Sequence, residues 1–198
     1  MHRNYHLIEG KIQDQADGSG AVHVYINPDE QERRFLTEQL KVDEHTLASS
    51  LDPDEISRLE FEPEHVAIIF KRPRNYSAED QFEFKVSSMG LFWFRDRVVF
   101  VLPEDSNLFE GKPFQKVHSL TDLVLKLLYR TTFHYLGHLR TINLIADALE
   151  QKINKAMENK YLINLFALQK SLVYYQNAVN SNGALIEKIR HNAARFGG

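Results

Sequence analysis

Cysteine is absent from the 198-residue sequence. Its absence excludes a disulfide framework, a zinc site made of thiolates and a cysteine nucleophile. The first six residues also lack the apolar run of a signal peptide. Both observations favour a protein that stays inside the cell.

Long apolar runs are also missing. The longest of them, residues 66–70 and 98–102, contain five residues each, whereas a membrane-spanning helix needs about 20. Apolar residues nevertheless make up 43% of the chain and charged residues 26%, which is the composition of a folded domain. We therefore expect one soluble domain over residues 1–198.

A strong excess of charge of either sign is absent, because the formal net charge is −3. Such a chain has no long-range positive field that would gather nucleic acid, so we expect no nucleic-acid partner. The one dense basic run is Lys71-Arg72-Pro73-Arg74. It has two interpretations, a solvated strand end and a phosphate-binding site, and a short cluster around a proline favours the first.

Catalytic motifs are missing as well. The sequence has no Gly-x-Ser-x-Gly elbow and no loop that would cradle a phosphate. Its serine, histidine and aspartate residues have no spacing that selects a catalytic triad. We therefore expect that the protein is not an enzyme.

Apolar patterns predict a β-sheet and two short helices in the first part of the chain. Residues 22–26 alternate as in a half-buried strand, and Asn27 is the predicted cap of a helix over residues 28–40. A second helix, capped by Asp43, is predicted to reach residue 51. The run 98–101 is apolar throughout, which indicates a central strand covered on both faces. Further strands are predicted at residues 59–61, 65–71, 82–86, 90–94 and 97–102.

Two long helices are predicted in the second part of the chain. Ser119 and Asp122 have capping-box spacing, and apolar residues then recur at helical spacing to about Met157. A second helical pattern follows, and the short connection makes the two helices antiparallel. The predicted fold is therefore α+β: a mixed β-sheet sandwiched between helical layers (αβα), with the sheet and the first helices in residues 1–118 and a long C-terminal antiparallel helical hairpin over residues 119–198.

Three parts of the chain resemble one transporter family. Residues 47–52 (LASSLD), with 58–61 (RLEF) and 65–70 (HVAIIF), resemble the family's path from its second helix to its central strand. Residues 89–101 (MGLFWFRDRVVFV) resemble its strand hairpin, and residues 165–175 (LFALQKSLVYY) resemble a run near its C-terminal helices. On these residues the chain resembles the N-terminal cytoplasmic domain of CorA-like transporters of magnesium and cobalt.

The resemblance implies a regulatory domain at the cytoplasmic face of the cell inner membrane. The family forms homopentamers in which long stalk helices lead to two membrane helices and a pore. Those membrane helices are absent from this sequence, so the resemblance implies that the gene continues into two apolar segments of about 20 residues each. The hairpin over residues 119–198 is then the start of the stalk.

The resemblance also implies a regulatory magnesium ion that facing carboxylates hold between subunits. Ser49 stands at the family's acidic position, and a neutral hydroxyl is a poor magnesium ligand. Asp52, Asp54 and Glu55 lie within a few residues and are the candidate replacement ligands. The alternative is that Asp-Pro-Asp-Glu serves only as a turn and a helix cap. Cobalt and zinc are the alternative ions.

Two alternatives to a magnesium transporter stay open. His134 and His138 are four residues apart on a predicted helix, as in helical zinc sites, although two surface histidines are the more common case. This pair keeps a zinc transporter of the same superfamily under consideration. The other alternative is a soluble interaction module whose helical hairpin binds another helical protein. Tyr174 and Tyr175 fit either packing within the hairpin or contact with another subunit.

Overall fold

The computed structural model describes residues 1–14, 20–80, 82–156 and 158–196. The strands in this part are β1 (His2–Ile8), β2 (Lys11–Asp14), β3 (Val22–Ile26), β4 (Arg58–Phe61), β5 (His65–Pro73), β6 (Val86–Phe94) and β7 (Val98–Leu102). The α-helices are α1 (Glu30–Arg34), α2 (Glu44–Ser49), α3 (Leu120–Ala156) and α4 (Asn159–His191). A π-helical turn, Phe35–Gln39, extends α1, and 3-10 turns lie at Ala78–Asp80, Lys112–Gln115 and Ala193–Arg195.

The strands form one mixed sheet in the order β2-β1-β3-β7-β6-β5-β4. Strands β3 and β7 pair in parallel, with Val22 beside Val98, and the other described pairs are antiparallel. All five residues of β7 are buried. This confirms the prediction that residues 98–101 form a central strand covered on both faces.

Helical layers cover both faces of the sheet, as predicted. On one face, residues such as Val24 and Phe100 pack with Leu123 and Leu127 of α3. On the other face, a second cluster surrounds Phe92. Its other members from the sheet, the π-helical turn, the connection that follows it and α2 are Tyr25, Ala67, Phe94, Val99, Val101, Leu36, Val42 and Leu47. The architecture is therefore the predicted αβα arrangement.

The first helix begins later than predicted. Asp29, and not Asn27, is the cap: its carboxylate accepts a hydrogen bond from the backbone N–H of Glu32 at 2.9 Å. The carboxylate of Glu32 accepts one in return from the Asp29 N–H at 3.0 Å, which completes a capping box. Asn27 instead has a left-handed φ of 43°, so it turns the chain before the helix. The prediction of Asp43 as the cap of α2 is confirmed.

The strand predicted over residues 82–86 is wrong, because β6 begins only at Val86 and continues to Phe94. Phe82 has a left-handed φ of 71°, and Phe84 is buried in a cluster with residues of α3 and α4. The alternation of Phe82 and Phe84 therefore reflects packing of an irregular segment against the hairpin.

Gly10 is consistent with a hairpin turn in the sequence, but the strands β1 and β2 of the N-terminal hairpin are not among the predicted strands. Glu9 and Gly10 have φ values of 49° and 77°, which is the conformation that favours tight two-residue hairpins. Most β1 residues are half-buried on both faces. Because such a strand shows no clean apolar alternation, its sequence pattern is weak.

The two C-terminal helices form a long antiparallel hairpin, as predicted. Helix α3 has 37 residues and α4 has 33, so they extend over about 55 and 50 Å. His138 contacts Tyr175, and Lys152 contacts Tyr161 farther along. Residues later in α3 therefore contact residues earlier in α4, as expected for antiparallel helices. The predicted end at Met157 lies outside the described residues. In the described part of the chain, no helix combines the length and apolar character needed to cross a membrane.

Candidate functional site

The three candidate metal ligands lie in the turn between α2 and β4, which we call the acidic turn (residues 52–55). Asp52 and Asp54 are exposed, and the Asp54 N–H donates to Asp52 Oδ1 at 2.9 Å, as in an Asx-turn. Glu55 is half-buried and faces Ser49. Within the described residues of one chain, no three His, Cys, Asp or Glu side chains are grouped to hold a metal ion.

Ser49, for which the resemblance implied an acidic counterpart, is buried in a polar network. Its hydroxyl donates to Glu55 Oε2 at 2.8 Å and accepts from Arg58 Nη2 at 3.0 Å. Arg58 also bridges the carboxylates of Glu55 at 2.9 Å and Glu60 at 2.8 Å. Donation by Ser49, reinforced by the charge of Arg58, lowers the pKa of Glu55. A guanidinium group therefore supplies the positive charge on this side of the acidic turn.

A buried ammonium group, that of Lys71, forms a hydrogen bond to the backbone of the acidic turn. Lys71 is 5% exposed, and its Nζ donates to the Pro53 carbonyl at 2.5 Å and to Ser88 Oγ at 2.8 Å. Burial lowers the pKa of Lys71, and the three carboxylates of the acidic turn oppose this shift. The solvated strand end expected for the basic run is wrong for Lys71 and Arg72, because β5 extends to Pro73 between neighbouring elements.

The side chain of Asn182 connects helix α4 to strand β5 through the kind of backbone hydrogen bonds that a neighbouring strand would make. Strand β4 pairs with β5 only as far as Ile69, so Lys71 lies two residues beyond the last pair. Asn182 is 6% exposed; its Nδ2 donates to the Lys71 carbonyl at 2.8 Å, and its Oδ1 accepts from the Lys71 N–H at 3.0 Å. Oδ1 also accepts from Ser57 Oγ at 2.8 Å. We call these contacts the Asn182 clamp.

The two predicted helix-face histidines lie side by side within the hairpin. His134 Nε2 and His138 Nε2 are 3.0 Å apart, and His138 Nδ1 is 2.6 Å from the hydroxyl of Tyr175. Burial raises the pKa of Tyr175, so the tyrosine keeps its proton, and the tautomers of the two histidines decide which group donates in each contact. The pair thus joins α3 to α4 through a buried tyrosine. Tyr175 packs within the hairpin, whereas Tyr174 is exposed.

The hairpin exposes many large apolar side chains to its surroundings. On α3 they are Leu125, Tyr129, Phe133, Leu136 and Leu144; on α4 they are Leu162, Ile163, Phe166, Leu172, Val173, Tyr174, Val179 and Ile186. Several of them recur at intervals of four or seven residues, which is helical spacing. We call this set the exposed hairpin face. Apolar surface of this extent is typical of interaction surfaces.

Comparisons with known proteins identify a family and a fold. A family model described as "CorA-like Mg2+ transporter protein" matches residues 22–196. The structure is similar to the soluble domain of CorA from Methanocaldococcus jannaschii (18% identity, TM-score 0.75, 93% of this chain and 76% of that chain). It is also similar to the complete CorA magnesium transporter of that organism (16% identity, TM-score 0.71), of which the chain spans 59%.

A third structure with the same fold is the cytoplasmic domain of ZntB from Vibrio parahaemolyticus RIMD 2210633. It is 11% identical, with a TM-score of 0.54, and the match covers 98% of each chain. No curated protein gives a significant sequence match. At these identities the structural likeness shows the fold, and the match to the family model adds family membership.

Proposed function

Because the chain belongs to the family of CorA-like Mg2+ transporter proteins, we propose that it is the cytoplasmic regulatory domain of a divalent cation transporter at the cell inner membrane. The observation that carries the proposal is the family match over residues 22–196. In this proposal the chain is not an enzyme, and the rest of the transporter supplies the membrane helices and the pore. In this proposal the hairpin of α3 and α4 connects the sheet to the membrane helices.

The exposed hairpin face supports a homo-oligomer, and a homopentamer is the assembly that we propose for the complete transporter. Residues such as Phe133 and Phe166 are more than half exposed in the single chain, and covering them with identical hairpins removes apolar surface from water. An interaction module that binds a different helical protein through this face is the competing proposal. Self-association of the purified chain distinguishes the two.

The acidic turn is the proposed place for a regulatory magnesium ion. Asp52 and Asp54 are exposed, so their carboxylates are free to face an acidic group of a neighbouring subunit. Facing carboxylates repel one another, and a cation that prefers oxygen ligands relieves this repulsion only while the subunits stay together. Glu55 takes a lesser part in this proposal, because Arg58 already neutralises it.

Zinc is the competing ion, with cobalt as a further candidate. The ZntB cytoplasmic domain matches this chain over 98% of both lengths, and His134 lies beside His138 in the hairpin. Zinc prefers such imidazole ligands, whereas magnesium prefers carboxylates. Binding that depends on the two histidines would favour zinc, and binding that depends on the acidic turn would favour magnesium.

The test combines titration calorimetry with sedimentation velocity on the purified chain in magnesium, cobalt, zinc or chelator. The key variant is Asp52→Asn/Asp54→Asn. Its matched control is Glu62→Gln/Glu64→Gln, which removes two charges from a second acid-Pro-acid sequence with both acids exposed. We expect magnesium to promote self-association of the wild type and the control, but not of the key variant. Equal responses of the two variants would refute a regulatory site at the acidic turn.

A further inference from the structure

A small cavity lies where the end of β5 meets the first half of α3. Its volume is about 160 Å³, which exceeds the space that a single water molecule needs. Arg72 lines it from β5, Ser106 and Glu110 from the connection between β7 and α3, and Arg130 and His134 from α3. The cavity therefore touches the sheet, a connecting segment and the hairpin.

Two residues that line this cavity, Arg72 and Ser106, carry buried polar atoms without hydrogen-bond partners in the described part of the chain. Arg72 is 8% exposed, and neither its Nε nor its Nη2 has a partner in the described part of the chain. Its nearest carboxylate, Glu104, lies 3.7 Å from Nη2 and is engaged by Arg74 at 2.6 Å. The hydroxyl of Ser106, which also borders a neighbouring cavity, is likewise buried without a partner. Buried donors without acceptors are costly, so these groups indicate a missing acceptor.

The charges around the cavity favour an acceptor that is negative. Arg130 is held in place because its Nη1 donates to the carbonyls of Asn107 and Leu108. Burial lowers the pKa of Arg72; the carboxylate of Glu104 opposes this shift, and Arg74 and Arg130 add to it. Burial, His138 and the two arginines lower the pKa of His134 to about 4. Glu110 lines the cavity and Glu104 lies beside Arg72 and Arg74, so two carboxylates face the three arginines Arg72, Arg74 and Arg130 and neutralise them only in part.

We propose that this cavity binds a small oxyanion of the phosphate or sulfate class. Once the Arg72 side chain turns toward the cavity that it lines, its unpaired Nε and Nη2 form the planar fork that binds two oxygens of such an ion. Ser106 donates a third hydrogen bond, and Arg130 adds charge. The proposal thus agrees with the phosphate-binding interpretation of the basic run 71–74, with the buried Arg72 as the binding residue. A bound ion would tie the start of the hairpin to the sheet.

The test measures binding of inorganic phosphate and of sulfate to the full chain by titration calorimetry at constant ionic strength. A parallel titration with adenosine monophosphate separates a free ion from the phosphate group of a larger molecule. Arg72→Gln removes a buried side chain and puts folding at risk, so Arg130→Gln and Ser106→Ala carry the test. Arg140→Gln is the matched control, because it makes the same charge change at an exposed position of α3 outside the cavity.

We expect saturable binding by the wild type and by Arg140→Gln, and affinity lower by about tenfold or more in Arg130→Gln and Ser106→Ala. Thermal unfolding without ligand shows whether each variant is folded. Binding of adenosine monophosphate as tight as that of phosphate would assign the site to a phosphoester, still within the proposed oxyanion class. The proposal fails if the wild type binds neither ion at millimolar concentration, or if the two cavity variants bind as the control does.

Discussion

Replacing Asn182 by alanine tests whether the hairpin is anchored to the sheet by the Asn182 clamp. The substitution deletes hydrogen bonds to the N–H and the carbonyl of Lys71 and to the hydroxyl of Ser57. Lys71 and Ser57 are both buried, so water cannot freely replace the lost partners. The side chain is small and polar, so the loss of apolar burial contributes little.

The expected cost follows from the number of groups left without partners. Each net hydrogen bond contributes about 1 kcal/mol, and a buried group without a partner costs ~1–3 kcal/mol. Three lost bonds at one buried site therefore give a loss of about 3 kcal/mol in the free energy of unfolding. For a chain of this length that corresponds to a decrease of roughly 6–12 °C in Tm. Asn182→Asp keeps the accepting oxygen but removes the donor to the Lys71 carbonyl, so we expect it to be equally harmful.

Urea denaturation followed by circular dichroism gives the free energy of unfolding for each variant. Asn180→Ala is the control, because Asn180 is exposed two residues earlier on the same helix; its effect should lie within about 0.5 kcal/mol of zero. If Asn182→Ala costs no more than Asn180→Ala, the clamp does not hold α4 on β5 and the reasoning is refuted.

Three further changes have defined outcomes. Gly90→Ala should cost about 1–3 kcal/mol in urea denaturation, because its Cβ would lie 2.6 Å from Ser50 Cβ, and adding Ser50→Gly should recover part of that cost. The native pKa of His134 is about 4, below the unfolded value of 6.5. The stability that neutral His134 contributes is therefore present above pH 6.5 and is lost as the pH falls towards 4. His134→Asn should make the free energy of unfolding depend less on pH in this range. After discounting for partial exposure we expect a difference of about 1–2 kcal/mol between unfolding curves at pH 7 and pH 4.5; parallel pH profiles would contradict it. Arg58→Gln should lower the free energy of unfolding by about 1–2 kcal/mol, because Glu55 loses its cationic partner. Magnesium should restore part of this stability in thermal melts. If magnesium leaves the Tm of the variant unchanged, a metal cation does not replace the guanidinium.

The elements that the sequence predicts well are those with one dominant pattern. The apolar run 98–101 identified the central strand, and long-range helical spacing identified the hairpin. The cap of α1 was misplaced because Asn27, Pro28 and Asp29 are all residues that favour a helix start, and only the backbone conformation of Asn27 decides among them.

The structural contacts that sequence reasoning missed are made by polar side chains in apolar patterns, such as Ser171, whose hydroxyl accepts from the Phe84 N–H at 2.9 Å. Ser171 and Asn182 lie on the buried stripe of α4, whose members are Leu168, Ser171, Tyr175, Ala178, Asn182 and Leu185. A polar residue at such a position was the available signal for a buried hydrogen-bonding partner. Arg72 gave no comparable signal, because its burial depends on packing by α3 and the 103–111 segment, which are distant in sequence.

Transport by the product of the complete natural gene is the most direct test of the central claim. Reconstituted in liposomes that contain a magnesium-sensitive dye, it should admit magnesium, and magnesium on the side of this domain should slow the influx. The Asp52→Asn/Asp54→Asn variant should admit magnesium with weaker inhibition. Absence of influx of magnesium, cobalt and zinc from a folded, reconstituted protein would contradict the account.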